Sequence, residues 1–225
     1  MKRVLFLVLC LCLLLTTFAA CNKPTTPQPS SPASSAPTAS SGPERPLEDP
    51  ALTAKGCPPV PQPLQQLYLD GQEMAAAFSL CHFTTAGVTR QIGGQTYDVI
   101  SDPRFPTYSA LEEYLYEIFT EDYVAQVFLN PDSPVKASTD GLACAMQASG
   151  SENATYAGHV FRVEEETNAV IRLTATVYYD ENNQGEEPFF TTPENPDLYT
   201  TRTFTYTFVN SQDGWRLSSC PYIRQ

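Results

Sequence analysis

Hydrophobic positions along this chain change their period near residue 135, from helical spacing to strict alternation. After Pro63, the residues Leu64, Leu67, Tyr68, Met74, Ala75 and Phe78 recur at helical intervals, so a first helix is expected over residues 64–83. Gly71 in its middle costs about 1 kcal/mol relative to Ala and weakens the pattern there. Two short β-prone runs, residues 89–92 and 95–100, flank Gly93-Gly94 and predict a hairpin with a two-residue turn. Ser109-Ala110-Leu111-Glu112 has the form of a capping box. Leu111, Tyr114, Leu115, Ile118 and Phe119 line one face of the helix it would open. Thr120 is placed to cap a further short helix through Phe128, which Asn130-Pro131 ends.

From Val135 onward the period is two. Ile171, Leu173, Ala175, Val177 and Tyr179 alternate with Arg172, Thr174, Thr176 and Tyr178, the mark of a half-buried strand. Phe204, Tyr206 and Phe208 alternate with Thr203, Thr205 and Thr207 in the same way. Asp213-Gly214 then turns into Trp215-Arg216-Leu217 to close a hairpin. Residues 160–166 supply another strand, with residues 142–147 as its expected partner. Helices grouped early and antiparallel strands late predict an α+β fold, with N-terminal helices covering one face of an antiparallel sheet.

The first residues follow neither period. Lys2 and Arg3 precede an unbroken apolar run over residues 4–15, and Phe18-Ala19-Ala20-Cys21 follows. A basic start, a short apolar stretch and small residues before a cleavage point describe a secretory leader. Cysteine directly after Ala-Ala makes it the lipobox of a bacterial lipoprotein, with Cys21 as the acylated first residue of the mature chain. Phe18 stands where Leu, Val or Ile is usual. The rival readings are ordinary cleavage after Ala20 and a retained anchor helix. The apolar run of 12 residues falls short of the roughly 20 a bilayer span needs. Residues 22–50 are nearly all Pro, Ser, Thr and Ala, a composition that buries no core. Stiffened by proline toward about 3.1 Å per residue, such a segment reaches on the order of 90 Å. The expected organisation is a leader over 1–20, a lipidated Cys21 with a disordered tether to residue 56, and a single domain over 57–225. Its expected place is the extracytoplasmic face of a membrane, held by the lipid alone.

The chain carries 13 basic and 25 acidic residues; loss of Lys2 and Arg3 with the leader takes the formal charge from −12 to −14. That balance argues against nucleic acid or an anionic membrane surface as a partner and suits a cationic one, or simple solubility. Cys57, Cys81, Cys144 and Cys220 remain after the leader and the lipid site, and four cysteines allow three pairings. Cys57 and Cys220, at opposite ends of the domain and each followed by proline, are the preferred disulfide; four reduced thiols are the alternative. No Cys-x-x-Cys occurs and Cys81-His82 are adjacent rather than ligand-spaced, so no zinc site is expected.

His82 and His159 are the two residues that could serve as neutral-pH bases. No Gly-x-Ser-x-Gly elbow, P-loop or dinucleotide glycine pattern is present, so a non-catalytic protein without a cofactor is expected. Residues 180–187 place Asp180, Asn182 and Gly185 at the first, third and sixth positions of a calcium loop. Gln184 and Thr191 stand where further ligands belong, so the stretch reads instead as a solvated acidic loop. Its functional version is an extended segment whose Asp180, Glu181, Glu186 and Glu187 enter the groove of a partner. Twelve tyrosines, several in the sheet segments, leave a second option, a sheet face that holds a small molecule or peptide.

Three motifs in order carry a resemblance: Leu111-x-x-Tyr114-Leu115-x-x-x-Phe119-Thr120, then Asp140-Gly141-Leu142, then Gly214-Trp215-Arg216-Leu217. Together they resemble the IseA family over roughly residues 64–220. Ala143 follows the second motif where that family has Lys nearby, and no residue separates Gly214 from Trp215. The resemblance implies helices packed into a strongly curved antiparallel sheet, similar to cystatin and nuclear-transport-factor folds. It further implies inhibition of cell-wall DL-endopeptidases, the NlpC-type cysteine hydrolases that cut peptidoglycan stem peptides.

Overall fold

Gln65 ties the first described residues to the domain. The computed structural model describes residues 47–147, 150–183 and 186–224; the expected leader, Cys21 and the expected tether as far as residue 46 lie outside them. Gln65 is fully buried, and its carboxamide accepts from the Asp49 N–H at 2.7 Å and donates to Thr53 Oγ1 and the Pro58 carbonyl. Asp49 caps a short helix, α1 (Pro50–Thr53), by accepting from Ala51 N–H. Leu52 packs on the main core. Residues 49–56, expected to belong to the tether, are therefore bound to the domain, because a buried amide must satisfy its hydrogen-bonding groups.

Helix α2 spans Gln62–Leu80, with a proline in its first turn and Cys81 in the left-handed conformation (φ 53°) at its end. Strands β1 (Thr85–Ile92) and β2 (Gln95–Ile100) form the expected hairpin, both turn glycines having positive φ. Helix α3 covers Tyr108–Ile118. Its cap is Thr107, whose hydroxyl accepts from Ala110 N–H, so Ser109 is already inside the helix and the predicted capping box is not used. Helix α4 (Glu121–Tyr123) runs on into a π-turn at Val124–Phe128. Thr120 makes no side-chain cap there; its backbone N–H donates instead to the Leu217 carbonyl.

The strands form two sheets rather than one. The first has the order β1-β2-β4-β3, with β3 at Val135–Ala137 and β4 at Ala143–Ala145. The second is an antiparallel meander of β5 (Tyr156–Glu166), β6 (Val170–Tyr179), β7 (Thr200–Ser211) and β8 (Gly214–Ser219). The expected pairing of residues 142–147 with 160–166 does not occur. Ala143, Cys144 and Ala145 are all buried, which suits a short central strand between β2 and β3. The long β5 instead takes the equally long β6 along nearly its whole length. The class is α+β with antiparallel sheets.

Helix α2 lies across the second sheet. Tyr68 meets Phe161 and Tyr206 edge-on, ring centroids 5.5 Å apart in each case. Leu173, Tyr206, Phe208 and Leu217 are fully buried beneath it. Gly71 is what lets the helix approach: a Cβ there would stand 2.5 Å from Leu217 Cδ1 and 3.0 Å from Cys220 Sγ. Its cost to the helix is offset by this contact, which no larger residue could make.

Candidate functional site

The connection from β6 to β7, residues 180–199, is the long excursion of the second sheet and carries a short 3-10 turn at Pro196–Leu198. Its first turn is set by Asp180, whose carboxylate accepts from Asn182 N–H, and it is tied down by Asn183, whose side chain donates to the Tyr156 carbonyl at 2.7 Å. Gln184 and Gly185 lie outside the described residues. The loop then returns along the edge of β5. Phe189 N–H donates to the Ala157 carbonyl and His159 N–H to the Phe189 carbonyl, a two-bond bridge opposite Gly158. Gly158 has φ 153°, and a Cβ on it would stand 2.1 Å from the Phe189 carbonyl oxygen. Only glycine admits so close an approach. Phe189 also sits in an aromatic group with Tyr178 and Tyr199 that braces the loop's two ends.

The structure brings the four predicted acids to this loop. Glu181, Glu186 and Glu187 are exposed and Asp180 is half-buried. Six other carboxylates of the domain are matched with cations, while Glu113, Glu117, Asp132 and Asp213, among others, share the loop's lack of a cationic partner among the described residues. Glu73 and Asp102 pair with Arg104, Asp140 with Arg90, Glu152 with Arg224, Glu164 with Arg162 and Glu165 with Arg172. None of Asp180, Glu181, Glu186 and Glu187 has a cationic partner among the described residues. No group of three or more His, Cys, Asp or Glu side chains converges on a metal position among those residues either. The loop is thus a fixed base carrying uncompensated negative charge.

His159 lies directly beneath the loop. It is 4% exposed, with Phe161 and Phe190 packed edge-on against its ring. Tyr156 Oη lies 2.5 Å from Nδ1 and the Gly56 carbonyl 2.8 Å from Nε2. A carbonyl can only accept, so Nε2 carries the proton and Nδ1 accepts from the tyrosine hydroxyl. Burial pushes its pKa down to about 4; the Gly56 carbonyl opposes this weakly and the Arg224 charge adds to it. Its two ring nitrogens are occupied in holding Gly56 and β5 together. His82 sits just past the end of α2, remote in sequence and element from this group.

All four cysteines among the described residues are free thiols, so the expected Cys57–Cys220 bridge is not formed. Each is held in its own setting. Cys57 borders the cleft beside Lys55 and His159, whereas Cys220 lies under Gly71, its sulfur accepting from the Gln72 amide at 3.2 Å, and borders a different cleft with Tyr123 and Phe128. Burial raises the Cys57 thiol to about 11 and the Cys220 thiol to about 12. Both are protonated at neutral pH and are poor nucleophiles.

Sequence reasoning missed Tyr156, Gly158, Asn183 and Phe189, the residues that hold the loop. A glycine inside a β-prone run was a usable signal for close backbone approach at Gly158. The others carry no local mark of their role. In sequence comparisons no family model and no curated protein matches the chain.

Proposed function

We propose that this protein is a non-catalytic, lipid-anchored surface protein that binds and inhibits a cell-wall DL-endopeptidase, presenting the 180–187 loop to a cationic groove of that enzyme. The single observation that carries the reading is the loop itself, four carboxylates close together with no cationic partner among the described residues, on a base hydrogen-bonded to β5 through Asn183 and Phe189. Uncompensated charge on a segment tied down at its flanks steers association and fixes register with a basic surface. Pre-organisation also lowers the ordering cost of binding.

Contacts among the three family-like motifs support the wider resemblance, including the cystatin-like fold with its curved sheet. Thr120 N–H donates to the Leu217 carbonyl, and Arg216 Nε donates to the Tyr116 carbonyl at 2.7 Å. Tyr108 N–H donates to the Gly141 carbonyl. The motifs thus interlock around α3. A non-catalytic role is favoured by the two buried thiols and the doubly bonded His159, none of which is free to act on a substrate. The small-molecule alternative loses the middle of its sheet surface, since the part of the second sheet that lies under α2 is filled by its own side chains.

The test is digestion of peptidoglycan by an NlpC-type endopeptidase with the protein added. Inhibition is expected, weakening as salt rises. The combined Asp180→Asn, Glu181→Gln, Glu186→Gln and Glu187→Gln variant should inhibit about tenfold less well. Digestion that proceeds unchanged in a molar excess of the protein rules the reading out.

A further inference from the structure

At the end of the second sheet away from the acidic loop lies an open groove of about 490 Å³, within the range of about 300–1,000 Å³ common to small-molecule sites. Its apolar part comes from three elements. Pro61, Pro63 and Leu64 stand at the start of α2, Ile171 on β6, and Trp215, the chain's one tryptophan, on β8. Its polar part is the β5–β6 turn, Glu166-Thr167-Asn168, together with Asn210, which pairs directly opposite Trp215 in the sheet register.

The walls are built rather than incidental. Thr167 Oγ1 accepts from the Ala169 and Val170 N–H groups and donates to the Val170 carbonyl, closing the turn on itself. Asn210 then fastens that turn to β7, its backbone N–H donating to the Ala169 carbonyl and its side-chain amide to the Asn168 carbonyl. With those bonds made, hydrogen-bonding capacity is left over inside the groove. The Asn168 side chain and the Trp215 indole N–H have no protein partner among the described residues, and Asn210 Oδ1 accepts nothing there.

The lining selects among ligands. It holds no Lys, Arg or His and one carboxylate, Glu166, so phosphates and carboxylates are disfavoured. Proline-rich peptides dock in grooves lined by several aromatics, and this one has a single ring. A half-exposed indole beside amides and a hydroxyl fits a ligand with an apolar C–H face and polar edges. The negative face of the ring attracts polarised C–H groups, and the amides pair with hydroxyls. We propose that this groove binds a neutral saccharide, with Trp215 as the plate for a pyranose ring and Asn168 and Asn210 as its hydrogen-bonding edges. This goes beyond the inhibitor reading and does not depend on it, because the groove and the acidic loop share no residue.

The chain's one tryptophan is its own reporter. The full-length protein is titrated with N-acetylglucosamine trisaccharide and, separately, maltotriose, following indole fluorescence and heat of binding. A saturable change is expected with at least one of them. Asn168→Ala, whose side chain holds nothing within the protein, should weaken that binding about tenfold at an unchanged melting temperature. Trp215→Phe, followed by heat alone, should weaken it while keeping a ring in the packed position. No saturable signal from either trisaccharide at millimolar concentration overturns the proposal. Binding that is equal in the wild type and both variants overturns it as well, as does saturable binding of a proline-rich peptide in place of both sugars.

Discussion

His159 is held between a hydroxyl that can donate and a carbonyl that can only accept, and this fixes it as a neutral ring with the proton on Nε2. The arrangement has a pH consequence with a definite sign. The folded-state pKa is depressed to about 4, below the ordinary value of about 6.5. As pH falls through 6.5 the unfolded chain takes up a proton that the folded chain refuses until about pH 4. Stability is therefore fully present above that window and declines across it, by about 3 kcal/mol in total. Denaturant midpoints measured from pH 7 to 4 should fall for the wild type. They should change little for His159→Gln, whose amide can donate to Gly56 and accept from Tyr156 without titrating. Equal slopes in the two proteins would remove His159 as the cause. The sequence marked His159 as a candidate base; that its ring is fully engaged required knowing that Gly56, far off in the chain, ends at its Nε2.

At the scale of elements, the β6–β7 loop depends on one backbone approach. Gly158 admits the Phe189 carbonyl where any Cβ would collide with it, so Gly158→Ala should release the loop from β5. The expected result is faster hydrogen exchange at Phe189 and His159, new protease cleavage within residues 180–190, and a stability loss of about 1–3 kcal/mol. The meander of the second sheet should keep its protection. Unaltered exchange at Phe189 would show that the loop is held by its aromatic group instead. Element identity was largely legible beforehand: α2, the Gly93-Gly94 hairpin, α3, β6, β7 and the β7–β8 hairpin all follow from local period and turn chemistry. Partnership was not. Residues 142–147 pair with β2 and β3 rather than with 160–166, and a three-residue buried strand carries no alternation from which that partner can be read. The helix cap slipped from Ser109 to Thr107 for a related reason, since either hydroxyl satisfies the local rule and the surrounding chain chooses.

On the scale of the whole molecule, the acidic loop and the saccharide groove sit at opposite ends of one meander, while the chain's first described residues reach the groove end through Gln62, whose N–H donates to the Leu47 carbonyl. Among the described residues no helix is long and apolar enough to cross a membrane, and the proposed anchor is the acyl group on Cys21. Cys21→Ser should move the protein from the membrane fraction to the soluble one and block lipoprotein processing; unchanged fractionation and mass would refute the anchor. What the sequence by itself determined is local: the acidic balance, the switch from helical to alternating period, and the loop's acids. Those features depend on residues within a few positions of one another. Tertiary structure decided the two-sheet division, the free state of Cys57 and Cys220, the docking of residues 49–56 on Gln65, and which carboxylates stay uncompensated. Each of these turns on residues distant in the chain competing for the same buried volume or the same hydrogen bond, and only the closed fold settles which of them meet.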